Sequence, residues 1–244
     1  MLKLMLYGLH RTGTNYAQKI IEKNFSDINF LNDGYARSLP VHKHFRLYKE
    51  QYYIPEPCYF NNFHYSSLAE LEEHITRLTN ARHVNFIVTV RNPFSWYLSY
   101  CKMARRYARW WRKNKWINFQ KNRLNPHYMI DYNLFYSKWT DFYRHNPDRI
   151  FLIRQEDILQ DMKMIMNRLK DKFNLKLKPH KKKGFKDTKK VYMSKQFTEK
   201  KRSAYLSKTF LNKYSKQDLM ILNEHLNQAM LKQLGYTLNL DKIL

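Results

Sequence analysis

The sequence predicts a single domain of the α/β class, residues 1–244, built on an open parallel sheet flanked by helices and ending in a helical C-terminal part. Short, almost continuous apolar runs at residues 2–7, 84–90 and 149–154 are typical of strands buried on both faces of a parallel sheet. Segments with apolar residues at helical spacing alternate with these runs. Such alternation favours parallel strands joined by helices that cover both faces of the sheet.

The helical segments show a one-sided apolar stripe. In the first of them Ala17, Ile20 and Ile21 share one face, and charged residues lie outside it. The helix predicted at residues 158–173 begins after two acidic residues, which favour a helix start. The last predicted helix is closed by Gly235. The predicted helices cover residues 15–24, 68–78, 158–173 and 216–234.

Three segments depart from this alternation. Residues 35–62 are rich in Tyr, His, Pro and Asn and are predicted as a loop with one short strand at residues 41–45. Residues 102–123 mix basic and aromatic side chains, which fits either a platform for an acceptor molecule or an amphipathic helix with a solvated basic face. Residues 178–190 form a lysine-rich surface loop.

The composition limits the class of partner. The chain carries 45 Lys and Arg against 20 Asp and Glu, a formal net charge of +25 that attracts polyanions. The apolar runs are too short to span a membrane, and the N-terminus lacks the pattern of a secretory signal, so a cytoplasmic location is expected. Cys58 and Cys101 have no metal-ligand spacing and are expected to be free thiols.

The first strand runs into a glycine-containing loop, Gly8-Leu-His-Arg-Thr-Gly-Thr-Asn15, and then a helix. Backbone N–H groups and a helix N-terminus converge there, which favours anion binding. In nucleoside triphosphatases the second glycine is followed by Lys and by Ser or Thr, which act on phosphates and magnesium. Thr14 and Asn15 stand at those positions and the cation is Arg11 inside the loop, so the pattern points away from magnesium-dependent chemistry.

This loop resembles the 5′-phosphosulfate loop of the sulfotransferases that use 3′-phosphoadenosine 5′-phosphosulfate (PAPS), closest in pattern to the smaller bacterial-type and cytosolic-like members. The resemblance implies a P-loop NTPase-like sulfotransferase fold, PAPS as the donor, and 3′-phosphoadenosine 5′-phosphate (PAP) as the product. It also implies that an aromatic residue after the loop, here Tyr16, stacks on adenine. The donor-binding residues implied in the loop are Arg11, Thr12, Gly13, Thr14 and Asn15.

A second motif follows the strand at residues 84–90. Arg91-Asn-Pro, with Ser99 eight positions after the arginine, is similar to the 3′-phosphate motif of the same family. Arg91 leaves a strand at the carboxyl edge of the sheet, where open α/β folds bind ligands, and an arginine fork suits phosphate. The resemblance is looser at residues 154–159, where Gln155 replaces the usual Tyr. It is also loose at the late loop Lys182-Lys183-Gly184, which implies closure over the 3′-phosphate.

Sulfuryl transfer needs a base for the acceptor proton and cations for the charge on the transferring group. Arg11 is predicted for the second role, together with Lys43. His44 resembles the family's Lys-His strand end and is the first choice for the base, with His64 as the alternative. Neighbouring residues of a strand face opposite sides, so Lys43 and His44 share the site only if the strand is interrupted there. No metal is predicted, because His42 and His44 have no third ligand at a suitable spacing.

The sequence therefore predicts a metal-independent transfer of a sulfuryl group from PAPS to a hydroxyl or amine, with a carbohydrate or another anionic molecule as the acceptor. A magnesium-dependent P-loop nucleotide or small-molecule kinase is the first alternative, but it would place a lysine at Thr14 and an acidic residue at a central strand end, where Arg91 stands. A basic nucleic-acid-binding protein would explain the charge and leave both motifs without a role, and nucleic acid is not the expected partner. A sulfotransferase-like protein without activity is the remaining alternative.

Overall fold

A computed structural model describes residues 1–48, 63–110, 126–179, 184–187, 190–192, 195–196 and 199–237. Its main sheet has four parallel strands in the order β2-β1-β3-β4. The strands are β1 Leu2–Tyr7, β2 Ile28–Phe30, β3 Asn85–Val90 and β4 Ile150–Arg154. The predicted α/β class with an open parallel sheet is confirmed.

Helices cover both faces of the sheet. Alternate residues of β1 enter two separate apolar cores, Met5 and Tyr7 on one face and Leu4 and Leu6 on the other, as a strand buried on both sides requires. The first group of helices is α1 Thr14–Asn24, α2 Leu68–Thr79, α3 Pro93–Trp110, α4 His127–His145, α5 Gln155–Gln160 and α6 Met162–Phe173. The C-terminal part contains the hairpin β5 Lys190–Tyr192 and β6 Lys195–Gln196, then α7 Glu199–Leu206, a 3₁₀ turn Thr209–Lys213, α8 Lys216–Glu224 and α9 Gln228–Gln233.

Two predicted helices are divided in the structure. The helix predicted at residues 158–173 is interrupted at Asp161, whose side chain accepts a hydrogen bond from the backbone N–H of Met164 and so begins α6. The helix predicted at residues 216–234 is interrupted before Asn227, which caps α9 in the same way. The predicted glycine end is present, because Gly235 has a φ of +75°.

Residues 41–45 do not form the predicted strand. They form consecutive turns, in which the N–H of His42 bonds to the carbonyl of Leu39 and the N–H of Phe45 bonds to that of His42. Residues 102–110 belong to α3, while the rest of the segment 102–123 lies outside the described residues. Within the described part of the chain, no helix combines the length and the apolar character needed to cross a membrane.

The sheet brings two chain segments to one edge. Strands β1 and β3 are neighbours in parallel register, with Tyr7 opposite Val88. The loops that follow Tyr7 and Val90 therefore leave the same carboxyl edge of the sheet side by side. Both predicted anion motifs begin in these two loops.

Candidate anion-binding and catalytic site

Gly8 is the point of closest packing in the phosphate loop. A Cβ atom at this position would lie 2.2 Å from Oγ1 of Thr89 and 2.6 Å from Oγ1 of Thr12, so only glycine fits. The Thr12 hydroxyl donates to the carbonyl of Leu9 at 2.7 Å and lies 2.9 Å from the Thr89 hydroxyl. These contacts hold the loop against strand β3.

The loop ends at an open helix N-terminus. Arg11 and Gly13 both adopt left-handed backbone angles, with φ of 73° and 90°, and no side chain caps α1 at Gly13. The N–H groups of the first turn that have no intrahelical acceptor are consequently available to an anion. The side chain of Gln155 packs beside Gly13, where an added Cβ would meet its Cδ at 3.3 Å, and its buried Oε1 has no partner among the described residues.

Arg91 is directed back towards this loop. The side chain is only 4% exposed, and its Nη1 donates to the carbonyl of Arg11 at 3.0 Å. Its Nε and Nη2 both donate to the Ser95 hydroxyl, at 2.9 and 2.6 Å. The ring of Tyr205 on α7 covers the guanidinium at 4.5 Å, and burial lowers the pKa of Arg91.

Arg11 joins the two predicted motifs. Its Nε donates to the hydroxyl of Ser99 at 3.0 Å, while its carbonyl accepts from Arg91. Arg91 and Ser99 therefore meet the phosphate loop through the same residue. The sequence predicted both motifs at the carboxyl edge of the sheet. In the structure the two motifs are in direct contact through Arg11.

The segment that carries Arg91 is held from three helices. The Asn92 side chain accepts from the N–H groups of Phe94 and Ser95 and so caps α3. The N–H of Asn92 donates to Glu156 at the start of α5, at 2.9 Å. The hydroxyl of Tyr132 on α4 donates to the carbonyl of Arg91 at 2.7 Å. Arg91 thus leaves the sheet in a defined direction.

The turns at residues 41–45 bring Lys43 and His44 to the phosphate loop together. The ammonium of Lys43 donates to the side-chain oxygen of Asn15 in the first turn of α1, and the N–H of Gly8 donates to the carbonyl of Lys43. Nδ1 of His44 lies 2.6 Å from the carbonyl oxygen of Gly8. The interruption that both residues need is present, because the expected strand is replaced by turns.

The contact with Gly8 defines the tautomer of His44. A carbonyl only accepts, so Nδ1 carries the proton and Nε2 has the lone pair. The ring is 6% exposed, and burial holds the pKa of His44 well below 6.5, opposed by the Gly8 contact and reinforced by the charges of Lys43 and Arg46. The ring of His10 stacks on it at 3.7 Å between centroids. His44 is consequently neutral at physiological pH and can accept a proton at Nε2.

The remaining predicted residues have other surroundings. His64 is exposed and lies shortly before the start of α2. Tyr16 is buried, and its hydroxyl donates to Asp187 at 2.8 Å. Gly184 begins the described stretch 184–187, with a φ of +108°, whereas Lys182 and Lys183 lie outside the described residues.

Three features of the site were not predicted from the sequence. They are the packing of Gln155 on Gly13, the cover of Arg91 by Tyr205, and a buried ion pair between Arg46 and Asp131. Each joins residues more than 80 positions apart, and no local pattern signals such contacts. The sequence contained one hint about these three features, namely that Gln155 stands where the family pattern has Tyr.

The three cations at this edge share a chemical feature. Arg11 bonds to the Ser99 hydroxyl, Arg91 to Ser95 and a carbonyl, and Lys43 to the amide oxygen of Asn15. Within the described residues none of the three forms an ion pair with a carboxylate. Their charge is therefore left for an anion. Cations bonded to neutral acceptors around a glycine loop and a helix N-terminus form a candidate anion-binding site.

Comparison with known proteins finds one similar family. The model described as "Sulfotransferase family" matches residues 61–179, which include Arg91 and Ser99. Residues 61–179 are therefore similar to the sulfotransferase family, which supports the family predicted from the two motifs. No curated protein matches the chain significantly in sequence. The crystal structure of mouse sulfotransferase SULT7A1 complexed with PAP is similar over 97% of this chain and 89% of that chain, at 11% identity and a TM-score of 0.45.

Proposed function

We propose that this chain transfers a sulfuryl group from PAPS to a hydroxyl or amine acceptor without a metal ion. The observation that carries the proposal is the convergence of Arg11, Arg91 and Lys43, all bonded to neutral acceptors, at the loop that ends in the N-terminus of α1. A donor with two separate phosphate-like groups suits two adjoining clusters of cations. Arg91 with Ser99 would bind the 3′-phosphate, and residues 11–15 the 5′-phosphosulfate.

The residues that would act in the transfer lie around the same loop. Arg11 and Lys43 stabilise negative charge on the transferring group and on the leaving phosphate oxygen. His44 takes the proton of the acceptor at Nε2, because Nδ1 is held by Gly8 and the ring is neutral. Tyr16, Gly184, Lys182 and Lys183 are proposed to contact the nucleotide. The acceptor is proposed to be a carbohydrate or another anionic molecule, in keeping with the charge of +25.

The nucleotide part of the proposal is tested by ligand binding. PAP added with a chelator should raise the melting temperature, because a ligand selective for the folded state stabilises it by mass action. ATP with magnesium is the matched control and should stabilise the protein far less. Stabilisation by ATP with magnesium and none by PAP would favour the kinase alternative and refute the proposal.

The base is tested by turnover with a reactive acceptor, or by slow hydrolysis of PAPS. His44→Ala should lower turnover about 10²–10⁴-fold and leave the affinity for PAP nearly unchanged, since the lost interaction belongs to the transition state. Arg11→Ala should lower both, because Arg11 contacts the donor before and during transfer. Near-normal turnover of His44→Ala, with loss in His64→Ala, would assign the base to His64.

A further inference from the structure

A buried ion pair lies directly behind the proposed base. Arg46 is fully buried and Asp131 is 3% exposed. The guanidinium donates to both carboxylate oxygens, at 3.2 Å from Nε and 2.9 Å from Nη2, and the hydroxyl of Tyr48 also donates to Asp131. The pair links the irregular segment after the turns at residues 41–45 to helix α4.

Stability alone is a poor explanation for this pair. Two charges removed from water have a large desolvation cost, and apolar side chains of similar volume often stabilise a fold equally well or better. The surroundings would accept such side chains, because Phe45 and Leu47 are buried in the same apolar core. The pair must therefore be judged by what its geometry holds in place.

What it holds is the backbone of His44. Nη1 of Arg46 donates to the carbonyl of His44 at 3.4 Å, two residues before it in the chain. The imidazole ring of His44 is held separately, because its Nδ1 bonds to the carbonyl oxygen of Gly8. The base is thus fixed at its backbone through α4 and at its ring through the phosphate loop.

We infer that Arg46 and Asp131 are positioning residues, whose buried ion pair anchors His44 to helix α4 and orients its imidazole towards the phosphate loop. The inference rests on the proposed function, in which His44 is the base. The hydrogen bond from Arg46 to the carbonyl of His44 is the contact through which the pair would act on the base.

The same arrangement also contributes to the pKa of His44. The groups that face it are His10 on the loop, His42 and Lys43 on the turns, and Arg46 behind it, with Asp131 and Tyr48 beyond Arg46. Burial lowers the pKa of His44 most, and His42, Lys43 and Arg46 lower it further. Removal of Arg46 should therefore raise that pKa, although burial still holds it below its ordinary value.

The test replaces both charges at once, because a single change would leave one charge buried without a partner. Arg46→Met combined with Asp131→Leu should keep the affinity for PAP and lower turnover by up to about 10²-fold, the effect expected of a misplaced reacting group. The acidic limb of its pH–rate profile should move to higher pH. Arg46→Lys alone keeps the charge and should lower turnover without moving that limb.

The matched control is another bidentate arginine–carboxylate pair, which lies at the opposite end of the sheet strands from the loop. Arg149 donates to Glu72 at 2.7 and 2.8 Å and connects β4 to α2. Arg149→Met combined with Glu72→Leu should leave turnover and its pH profile unchanged. Equal loss of turnover in both double variants, or an unchanged pH profile in the Arg46 variant, would overturn the inference.

Imidazole NMR separates this inference from the proposed function. The His44 signals, assigned through His44→Gln, should show a protonated Nδ1 in the parent protein and titration at higher pH in the Arg46 and Asp131 double variant. That readout needs no turnover. Unaltered His44 signals and titration in the double variant would refute the positioning role, whereas absence of PAP binding in the parent would refute only the proposed function.

Discussion

Lowering the pH from 7.5 to 5.5 should destabilise the fold through its buried histidines. Burial is the largest cause that lowers the pKa of His42, to about 4, and of His44, to well below 6.5. In the unfolded chain both have a pKa of about 6.5. Below that pH the unfolded state binds more protons than the folded state, so stability falls as the pH falls.

The size of the loss follows from the unfolded pKa, because the folded values lie below the window. Between pH 7.5 and 5.5 each histidine that stays neutral removes about 1.3 kcal/mol of stability. His42 and His44 together remove about 2.6 kcal/mol, and His10, whose pKa burial also lowers, adds to this loss. For a domain of this size that corresponds to a drop in melting temperature of about 5–10 °C. Glu72, whose pKa is lowered by Arg149, loses its contribution only as the pH falls through about 4.5 and below, outside the window.

Calorimetry at the two pH values measures the effect, and His42→Asn isolates the contribution of His42. The Asn side-chain oxygen can replace Nδ1 of His42 as the acceptor for the N–H of His44, while it removes the titrating ring. The pH-dependent drop should shrink by about 1.3 kcal/mol in His42→Asn and stay the same in the exposed control His64→Asn. An unchanged melting temperature at pH 5.5, or an equal drop in both variants, would refute the reasoning.

Two further predictions concern the loops at the sheet edge. Gly8→Ala should lower the urea midpoint by the equivalent of about 1–3 kcal/mol, because its Cβ would meet the Thr89 hydroxyl at 2.2 Å. Gly34→Ala has nothing within 4 Å and is the control, so equal midpoints would contradict the packing argument. Arg91→Ala, and more mildly Ser99→Ala, should weaken PAP binding in calorimetric titrations far more than binding of adenosine 5′-phosphosulfate, which lacks the 3′ group. Equal losses would show that they do not bind the 3′-phosphate.

The central strands and the helices beside them could be predicted because they are local patterns. Continuous apolar runs identified β1, β3 and β4, and one-sided stripes identified α1 and α2. Strand β2 has three residues, too few for a pattern to emerge. Helix α4 buries aromatic residues along much of its length and has little contrast between its faces.

The segment at residues 41–45 shows how a short strand prediction can be wrong. Val41, His42, Lys43, His44 and Phe45 were predicted as a short strand, yet they form turns in which both histidines are buried. Their burial depends on partners far away in sequence, among them the carbonyl of Gly8. A pattern read along the chain cannot distinguish a strand face from turns whose polar groups are satisfied by another segment.

The anion motifs could be predicted because each is a pattern within one short stretch of chain. The same locality limits what the sequence shows about the partners of nearby cations. A strand, a glycine loop and a helix N-terminus create an anion site within one stretch of chain, so residues 8–15 signal it alone. Whether a nearby cation is free for a ligand depends on its partner, which the sequence does not reveal. Arg154 ends strand β4 much as Arg91 follows β3, but it pairs with Asp157 at 2.6 Å. Among the described residues, the hydrogen bonds of Arg91 go to hydroxyl and carbonyl oxygens. The partner's charge, and not the position of the arginine, separates a structural cation from one that can bind phosphate.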